Sequence, residues 1–276
     1  MTGVVSRINK LVSVQSYCNR YSPEIGDVIV GRVVEVIDGR WRIDVNGRQL
    51  ASLQLASVYL AGAQRRRTNE DALQMRAFLS EGNLVSAEVQ KVLSDRSVAL
   101  HARSAKYGRL GQGTLIQVPS SLVERTKKHF HSLTDLGVDI IIGVNGYIWL
   151  APIPSAAERA RRSAVADDES IDRDQDCRSK HVEGLGNGTA AGHGADDSVA
   201  DPLSGLIPVD EPVQIDVRES IARLRAAVVA LMKERRKITL SNILAVYNMS
   251  VLQNRRVSDM WNEKVVAALT QGVGCE

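Results

Sequence analysis

Cysteine is scarce in this chain of 276 residues, which contains only three. Cys18, Cys177 and Cys275 lie far apart and form neither a CxxC pair nor a zinc-ligand spacing. Because small secreted domains are held together by paired cysteines, we expect a reducing compartment, no disulfide framework and no structural metal.

The sequence also lacks any apolar run near the ~20 residues that a membrane-spanning helix needs. Its amino terminus, "MTGVVSRINKLVSV", places charged residues among the apolar ones, whereas a secretory signal has a continuous apolar centre. We therefore expect neither secretion nor membrane insertion, and no membrane partner.

Catalytic motifs are missing as well: nothing matches a nucleophile elbow, a phosphate-binding P-loop or a zinc-peptidase helix. The segment "KKHFHSLTD" offers His129, His131 and Asp135 as possible metal ligands. Two histidines at this spacing share a face on a strand but diverge on a helix, and spacing fixes no third ligand. We favour a structural role for the segment, and predict a non-enzymatic protein without cofactor. A metal-dependent hydrolase is the distant alternative.

Residues 23–104 are organised as short strands separated by turn signals. Five such strands without long helices predict a small closed barrel of the OB type. The strand sequences are "DVIVGRVVEV", "RWRIDV", "RQLASL", "NLVSAEVQKV" and "SVALHA". In the second of them Trp41 alternates with Ile43 and Val45, so we predict that Trp41 belongs to the barrel core.

One short helix is predicted inside this barrel region. Thr68 and Asp71 have the spacing of a capping box, and we expect the helix to run through Leu79. Its apolar residues are expected to face inward. They are Leu73, Ala77 and Phe78.

Residues 105–154 and 213–272 predict an α+β domain. "TLIQV" indicates a strand, "SSLVERTKKHFHSL" a helical or irregular segment, and residues 138–150 a hairpin. Apolar residues then recur at helical spacing, and two shorter helices follow, one introduced by Ser241 and one over residues 257–269. The apolar positions are Ile221, Leu224, Val228, Leu231 and Met232.

Residues 155–212 interrupt this domain with an acidic, Gly-rich sequence that is almost free of large apolar side chains. Such a segment cannot bury enough surface to offset the entropy lost on ordering. We predict a flexible insertion there.

The tetrapeptide "GVNG" holds Gly143 and Gly146 at the spacing of a KH-domain loop that clamps a nucleic-acid backbone. KH loops mostly join two helices, whereas this one lies between β-branched and aromatic residues typical of strands. Val144 and Asn145 supply no cation, and Asn-Gly is a strong hairpin signal. We interpret the four residues as a structural turn.

The segment "IGDVIVGRVVEVIDGRWRIDVN" resembles the start of an S-one-type OB barrel. "LHARSAKYGRLGQGTLIQV", "HFHSL" and "GVNGYIWLAPIP" follow in the order of one family. The chain resembles the eukaryotic RNA exosome cap subunits known as ribosomal RNA processing protein four, over about residues 4–154 and more weakly 213–270.

This resemblance implies a non-catalytic cap subunit with a ring-docking β segment, residues 1–22, before the S-one barrel and the KH-like domain. It implies RNase-PH-like ring subunits and other cap subunits as partners. Single-stranded RNA would pass through the ring for 3′-to-5′ processing, in the nucleus and nucleolus and also in the cytoplasm. Against the family's pattern, we expect a shortened amino-terminal domain and an insertion longer than the family's.

Cationic side chains are the candidate RNA contacts, because an OB barrel binds single strands with charge and stacking. They lie on the second strand, in the loop before the predicted helix, and in the connection between the domains. They are Arg40, Arg42, Arg65, Arg66, Arg67, Lys106 and Arg109. A solvated surface, or a scaffold that turns these cations toward acidic protein partners, is the alternative.

Overall fold

The computed structural model describes residues 3–16, 19–37, 39–58, 72–104, 106–154 and 212–270. The Arg65–Arg67 run, the predicted capping box and almost all of the 155–212 segment lie outside these residues.

The chain begins with an antiparallel hairpin of β1 (Gly3–Ile8) and β2 (Leu11–Ser16). Asn9 takes a positive φ of 56° at the turn, a conformation that asparagine tolerates better than most residues.

Five strands form a closed barrel, as the sequence predicts. Its strands are β3 (Val28–Ile37), β4 (Arg40–Asp44), β5 (Ala51–Val58), β6 (Leu84–Val92) and β7 (Val98–Ala102). They are ordered β3-β4-β5-β7-β6, and a further pairing of β3 with β6 closes the ring. The short β8 (Gly108–Arg109) extends the sheet from β6 toward the second domain.

Trp41 lies in the barrel core, which confirms the prediction from its alternation with Ile43 and Val45. Its side chain is fully buried, and its indole N–H donates to the carbonyl oxygen of Leu79 at 2.9 Å. The buried ring therefore leaves no donor unsatisfied, and its hydrogen bond holds the chain that follows the short helix against the barrel.

The inward face predicted for that helix is wrong for Leu73 and Ala77, whereas Phe78 packs against the barrel core. Helix α1 spans Met75–Phe78, and Met75 and the residue after the helix, Leu79, are buried. Leu73 is 86% exposed and Ala77 is exposed, while Phe78 is half-buried. Met75 and Leu79 are four positions apart, so they share one face of this helical turn, and that face meets the core.

The second domain is a four-stranded antiparallel sheet covered by helices. Its strands, ordered β10-β11-β12-β9, are β9 (Thr114–Gln117), β10 (Phe130–Leu133), β11 (Val138–Ile142) and β12 (Tyr147–Pro152). The helices are α2 (Ile215–Lys233), α3 (Leu240–Leu252) and α4 (Glu263–Thr270). The predicted hairpin over residues 138–150 and the predicted long helix are both confirmed.

The core of this domain lies between the sheet and the helices. Leu224, Val228 and Leu231 of α2 are fully buried against Ile140 and Ile148 of the sheet. These α2 residues recur at spacings of three and four, so they form the single apolar stripe that helix burial on a sheet requires.

Two local predictions in this domain need correction. Thr239, not Ser241, caps α3, because its hydroxyl oxygen accepts the N–H of Asn242 at 3.3 Å. The "HFHSL" segment forms strand β10 after a short 3-10 turn at Ser120–Leu122, and Phe130 pairs with Ile141 there. The extended conformation lets β10 complete the sheet edge beside β11, which outweighs the local preference for helix.

We predict that Trp41→Phe lowers the free energy of unfolding by about 1–2 kcal/mol, because it keeps most of the ring but removes the hydrogen bond to Leu79. Urea denaturation of purified protein measures this change. Trp261→Phe is the matched control: that side chain is 45% exposed, so we expect a change within about 0.5 kcal/mol. Equal effects of the two substitutions would contradict the prediction.

Candidate nucleic-acid interface

Arg40 and Arg42 point out of the barrel because their neighbours on β4, Trp41 and Ile43, point in. Both arginines line a groove of about 380 Å³ on the outer barrel surface. The remaining lining residues come from β3, from the start of β5, and from the β4–β5 and β6–β7 connections. They are Ile37, Gln49, Leu50, Ser52, Asp95 and Ser97.

The charge of this groove is mostly but not wholly positive. Arg42 lies 4.0 Å from Glu35, and both side chains are about half exposed, so solvent screens this pair and leaves the guanidinium open to another anion. Asp95 accepts hydrogen bonds from the hydroxyl and the N–H of Ser97 at 2.7 and 2.9 Å. These bonds hold its pKa below the usual value, so the groove contains one firm negative charge.

None of the described residues that line this groove is aromatic. The aromatic residue of β4, Trp41, is committed to the core. A strand of RNA lying here would meet guanidinium groups but no stacking platform. The arrangement therefore suits contact with phosphates, which carries no sequence information.

Lys106 and Arg109 form a separate group. Lys106 is exposed and its Nζ lies 4.8 Å from the centre of the Tyr107 ring, a cation–π contact that steadies the side chain. Tyr107 in turn donates its hydroxyl to Glu88 at 2.7 Å. Arg109 is half-buried on β8, which pairs with β6 and is separated from β4 by β6 and β3. The structure therefore joins Arg40 to Arg42 but does not bring Lys106 or Arg109 into their groove.

The "GVNG" turn lies between β11 and β12 and closes tightly on itself. The N–H of Gly143 donates to the carbonyl oxygen of Tyr147 at 3.0 Å, and the N–H of Gly146 donates to that of Gly143 at 3.0 Å. Gly146 has a φ of +86°, and a Cβ there would collide with the carbonyl oxygen of Val118. Only glycine meets both demands at this position.

Asn145 is completely buried, and its side chain bonds to the barrel. Its amide nitrogen donates to the carbonyl oxygens of Val30 at 2.6 Å and Val45 at 3.1 Å. Its amide oxygen accepts the N–H groups of Val30 at 3.5 Å and Tyr147 at 3.4 Å. A single side chain thus connects β3, the residue after β4, and its own hairpin.

The residue before it enters the barrel as well. The N–H of Val144 donates to the carbonyl oxygen of Val28 at 3.1 Å, and its side chain is part of the barrel core. Three of the four N–H groups of "GVNG" therefore donate to backbone carbonyls. A KH loop needs such groups free for phosphate. In this structure the turn packs the two domains together.

His129, His131 and Asp135 do not form a metal site. His129 is buried and its Nδ1 lies 3.0 Å from the carbonyl oxygen of Ile142. Burial lowers the pKa of His131, which faces Ile140 across the strand pair. Within the described residues no three His, Cys, Asp or Glu side chains are placed to hold a metal ion.

Two features of the structure are not indicated by any sequence motif. Arg125 forms ion pairs with Glu24 and, at 3.6 Å, with Asp27, which accepts the hydroxyl of Tyr21 at 2.6 Å. Burial and the Asp27 carboxylate raise the pKa of Tyr21. The second feature that no motif indicates is a groove lined by the half-exposed Trp261. Both depend on contacts between distant parts of the chain, which no local pattern indicates.

In the described parts of the chain, no helix is both long enough and apolar enough to span a membrane.

An OB barrel that receives the turn of a KH-like sheet defines a class of non-catalytic RNA-binding proteins. Residues 20–91 match the RRP4 S1 domain family, and residues 113–154 match a KH domain family. The S1 and KH domains of this class bind RNA and break no bond.

Curated relatives extend the match beyond these domains. The exosome complex component RRP4 of Bos taurus is 40% identical over 91% of this chain and 71% of its own length. That of Saccharomyces cerevisiae is 48% identical over 62% of this chain and 47% of its own length. The Arabidopsis thaliana homolog is 36% identical over 94% and 71% respectively. The chain belongs to the RRP4 family of exosome complex components.

We predict that Asn145→Ala lowers the free energy of unfolding by about 2–4 kcal/mol, because two barrel carbonyls lose their buried donor. Urea denaturation measures the loss, and Asn248→Ala, at an exposed position of α3, is the control with an expected change within about 0.5 kcal/mol. A cost for Asn145→Ala as small as the control's would show that the turn does not hold the domains together.

Proposed function

We propose that this protein guides single-stranded RNA into the ring channel of an RNA exosome for 3′-to-5′ processing and degradation, including that of ribosomal RNA. In the same assembly it bridges RNase-PH-like ring subunits and contacts other cap subunits. The observation that carries the proposal is the outward pair Arg40 and Arg42 on the barrel face that OB folds use for single strands.

The proposed mechanism is electrostatic. Guanidinium and ammonium groups attract phosphates of any sequence, and a strand held by a few exposed charges can slide. Arg109 on β8 and Lys106 just before it supply cations away from this groove, and Arg65–Arg67, outside the described residues, supply the densest run. A subunit that passes RNA onward needs this kind of weak, sequence-tolerant contact.

Attachment to the ring is proposed for the amino-terminal hairpin. Val5, Val12 and Val14 lie on one face of it, and they are 65%, 61% and 56% exposed. A two-stranded hairpin with an uncovered apolar face is marginally stable by itself, so a partner surface that covers Val5, Val12 and Val14 would stabilise it. The carboxy-terminal helices are the second proposed docking element, with Leu252 of α3 80% exposed.

A purely structural scaffold is the second candidate, favoured by the same exposed hairpin and by Asp95, whose charge opposes phosphate in the barrel groove. In that case the basic residues would face acidic protein partners. The family assignment leads us to propose the nucleus and nucleolus, and also the cytoplasm, as the place of action.

We predict that Arg40→Ala/Arg42→Ala weakens RNA capture by the reconstituted assembly and lowers the magnitude of the salt slope of log K by roughly 1.4, about 0.7 for each phosphate that is no longer neutralised. Lys106 and Arg109 lie outside the groove of Arg40 and Arg42. We therefore expect Lys106→Ala/Arg109→Ala to cause a similar loss of capture and of salt slope. Fluorescence anisotropy with a labelled oligouridylate at several salt concentrations measures both quantities.

The control for these pairs is Lys127→Ala/Lys237→Ala, which removes two exposed charges from the second domain. We expect it to leave the salt slope nearly unchanged. If neither the Arg40/Arg42 nor the Lys106/Arg109 variant alters capture or slope, even when Arg65–Arg67 are replaced together with them, the guiding mechanism is wrong and the scaffold is favoured.

We also predict that Val5→Ser/Val14→Ser weakens attachment to the ring by about 100-fold, since two valines would no longer be buried at the interface. Val5 and Val14 are direct cross-strand neighbours on one face, whereas Ile8 and Leu11 pair on the other. Ile8→Ser/Leu11→Ser is therefore the matched comparison, and size-exclusion chromatography of the assembly is the measurement. Full attachment of both variants would exclude the hairpin as a docking element.

A further inference from the structure

A second groove, of about 750 Å³, lies on the KH-like domain, away from the barrel groove. It is bounded by the start of β9, the end of β12, the first half of α2 and the 3-10 turn at Asp259–Trp261. The turn "GVNG" precedes β12, whereas the groove is at Pro152, the last residue of that strand. Six residues of strand span roughly 20 Å, so this groove is distinct from the position of the KH loop.

The charge of the groove is uniformly positive. Arg218 and Arg225 line it, both are exposed, and no Asp or Glu is among the described lining residues. Seven residues apart on α2, the two arginines lie on the same helix face about 10 Å from one another. Neither has an ion-pair partner within the described residues, in contrast to Arg223, which pairs with Glu219 at 2.8 Å. Two guanidinium groups without an ion-pair partner among the described residues therefore line one groove.

An aromatic side chain completes the groove. Trp261 is 45% exposed, whereas the other two tryptophans, Trp41 and Trp149, are at most 5% exposed. The 3-10 turn fixes its backbone, and its carbonyl oxygen accepts the Lys233 ammonium at 3.4 Å. Ile221 and Val257 add apolar lining. A large aromatic ring held half in solvent beside two cations is the arrangement that stacks a nucleobase.

We propose that this groove is a second binding site for single-stranded RNA, in which a base stacks on Trp261 and neighbouring phosphates meet Arg218 and Arg225. The proposal rests on the proposed function, because the chain must first encounter RNA. An acidic peptide would satisfy the arginines but leave the ring without a planar partner. Strand β9, at the edge of the sheet, has only four residues, which is short for the addition of a peptide strand.

Tryptophan emission tests the site directly, because Trp261 is the tryptophan that solvent and ligand can reach. We expect an unlabelled 12-nucleotide oligouridylate to quench the emission of the wild-type protein, and Trp261→Phe to abolish that quenching. In anisotropy titrations with a labelled oligouridylate, Trp261→Ala should weaken binding about 5- to 100-fold.

The arginines have their own comparison. Arg218→Gln/Arg225→Gln should reduce the quenching at a given RNA concentration and reduce the salt slope, as expected when two phosphates are no longer neutralised. Lys237→Gln, an exposed cation beyond the far end of α2, should change neither. Equal effects of the arginine pair and the lysine would overturn the site, since only general charge would then matter.

Three further outcomes are decisive. If RNA binds by anisotropy without quenching that depends on Trp261, this groove is not a binding site, while the proposed function stands. If a 12-residue polyglutamate alters Trp261 emission as strongly as RNA, the groove is a site for acidic peptides and the RNA proposal falls. If no RNA binds by any measure, the groove proposal and the proposed function fail together.

Discussion

The buried amide of Asn145 is the interaction on which the arrangement of this protein depends. Its side chain donates to Val30 and Val45 and accepts from Val30 and Tyr147, so one residue satisfies groups from both domains. A buried polar group of this kind stabilises only when all its partners are in place. The barrel and the sheet therefore fix one another's position through a contact that tolerates little displacement.

This contact also decides where RNA can be bound. Because the turn is used for packing, its N–H groups point at protein carbonyls and no longer offer the phosphate clamp that the same spacing provides in KH domains. Anion recognition must then come from side chains on free surfaces. The structure has such cations on β4, on and just before β8, and on α2, in three separate places, and all of them except the half-buried Arg109 are exposed.

Sequence alone predicted the elements whose pattern is local. The alternation of Trp41 with Ile43 determined the inner face of β4, and the apolar stripe from Leu224 to Leu231 determined α2, because burial imposes the period of the element. Prediction failed for part of the inward face of α1 and for the strand β10, where the element is short and tertiary contacts outweigh propensity. The distribution of the cations over separate surfaces depends on strand order, and the bonds of Asn145 cross 100 residues or more of sequence. A local sequence pattern therefore predicts neither the placement of the cations nor the hydrogen bonds of Asn145.

The three tryptophans have different roles in this aromatic-poor chain, since two are buried in packing and one is half exposed. Aromatic residues make up 4% of the sequence, and two of the three tryptophans are used in packing, Trp41 in the barrel and Trp149 in the sheet. The barrel groove is left with charge alone, which favours weak contact with any passing strand. Among the tryptophans, only Trp261 is half exposed, and it lies beside two arginines that have no ion-pair partner in the part of the chain that the structure describes. Under the two proposals, the barrel groove would hold RNA by charge alone, whereas the groove of Trp261 would add base stacking to charge.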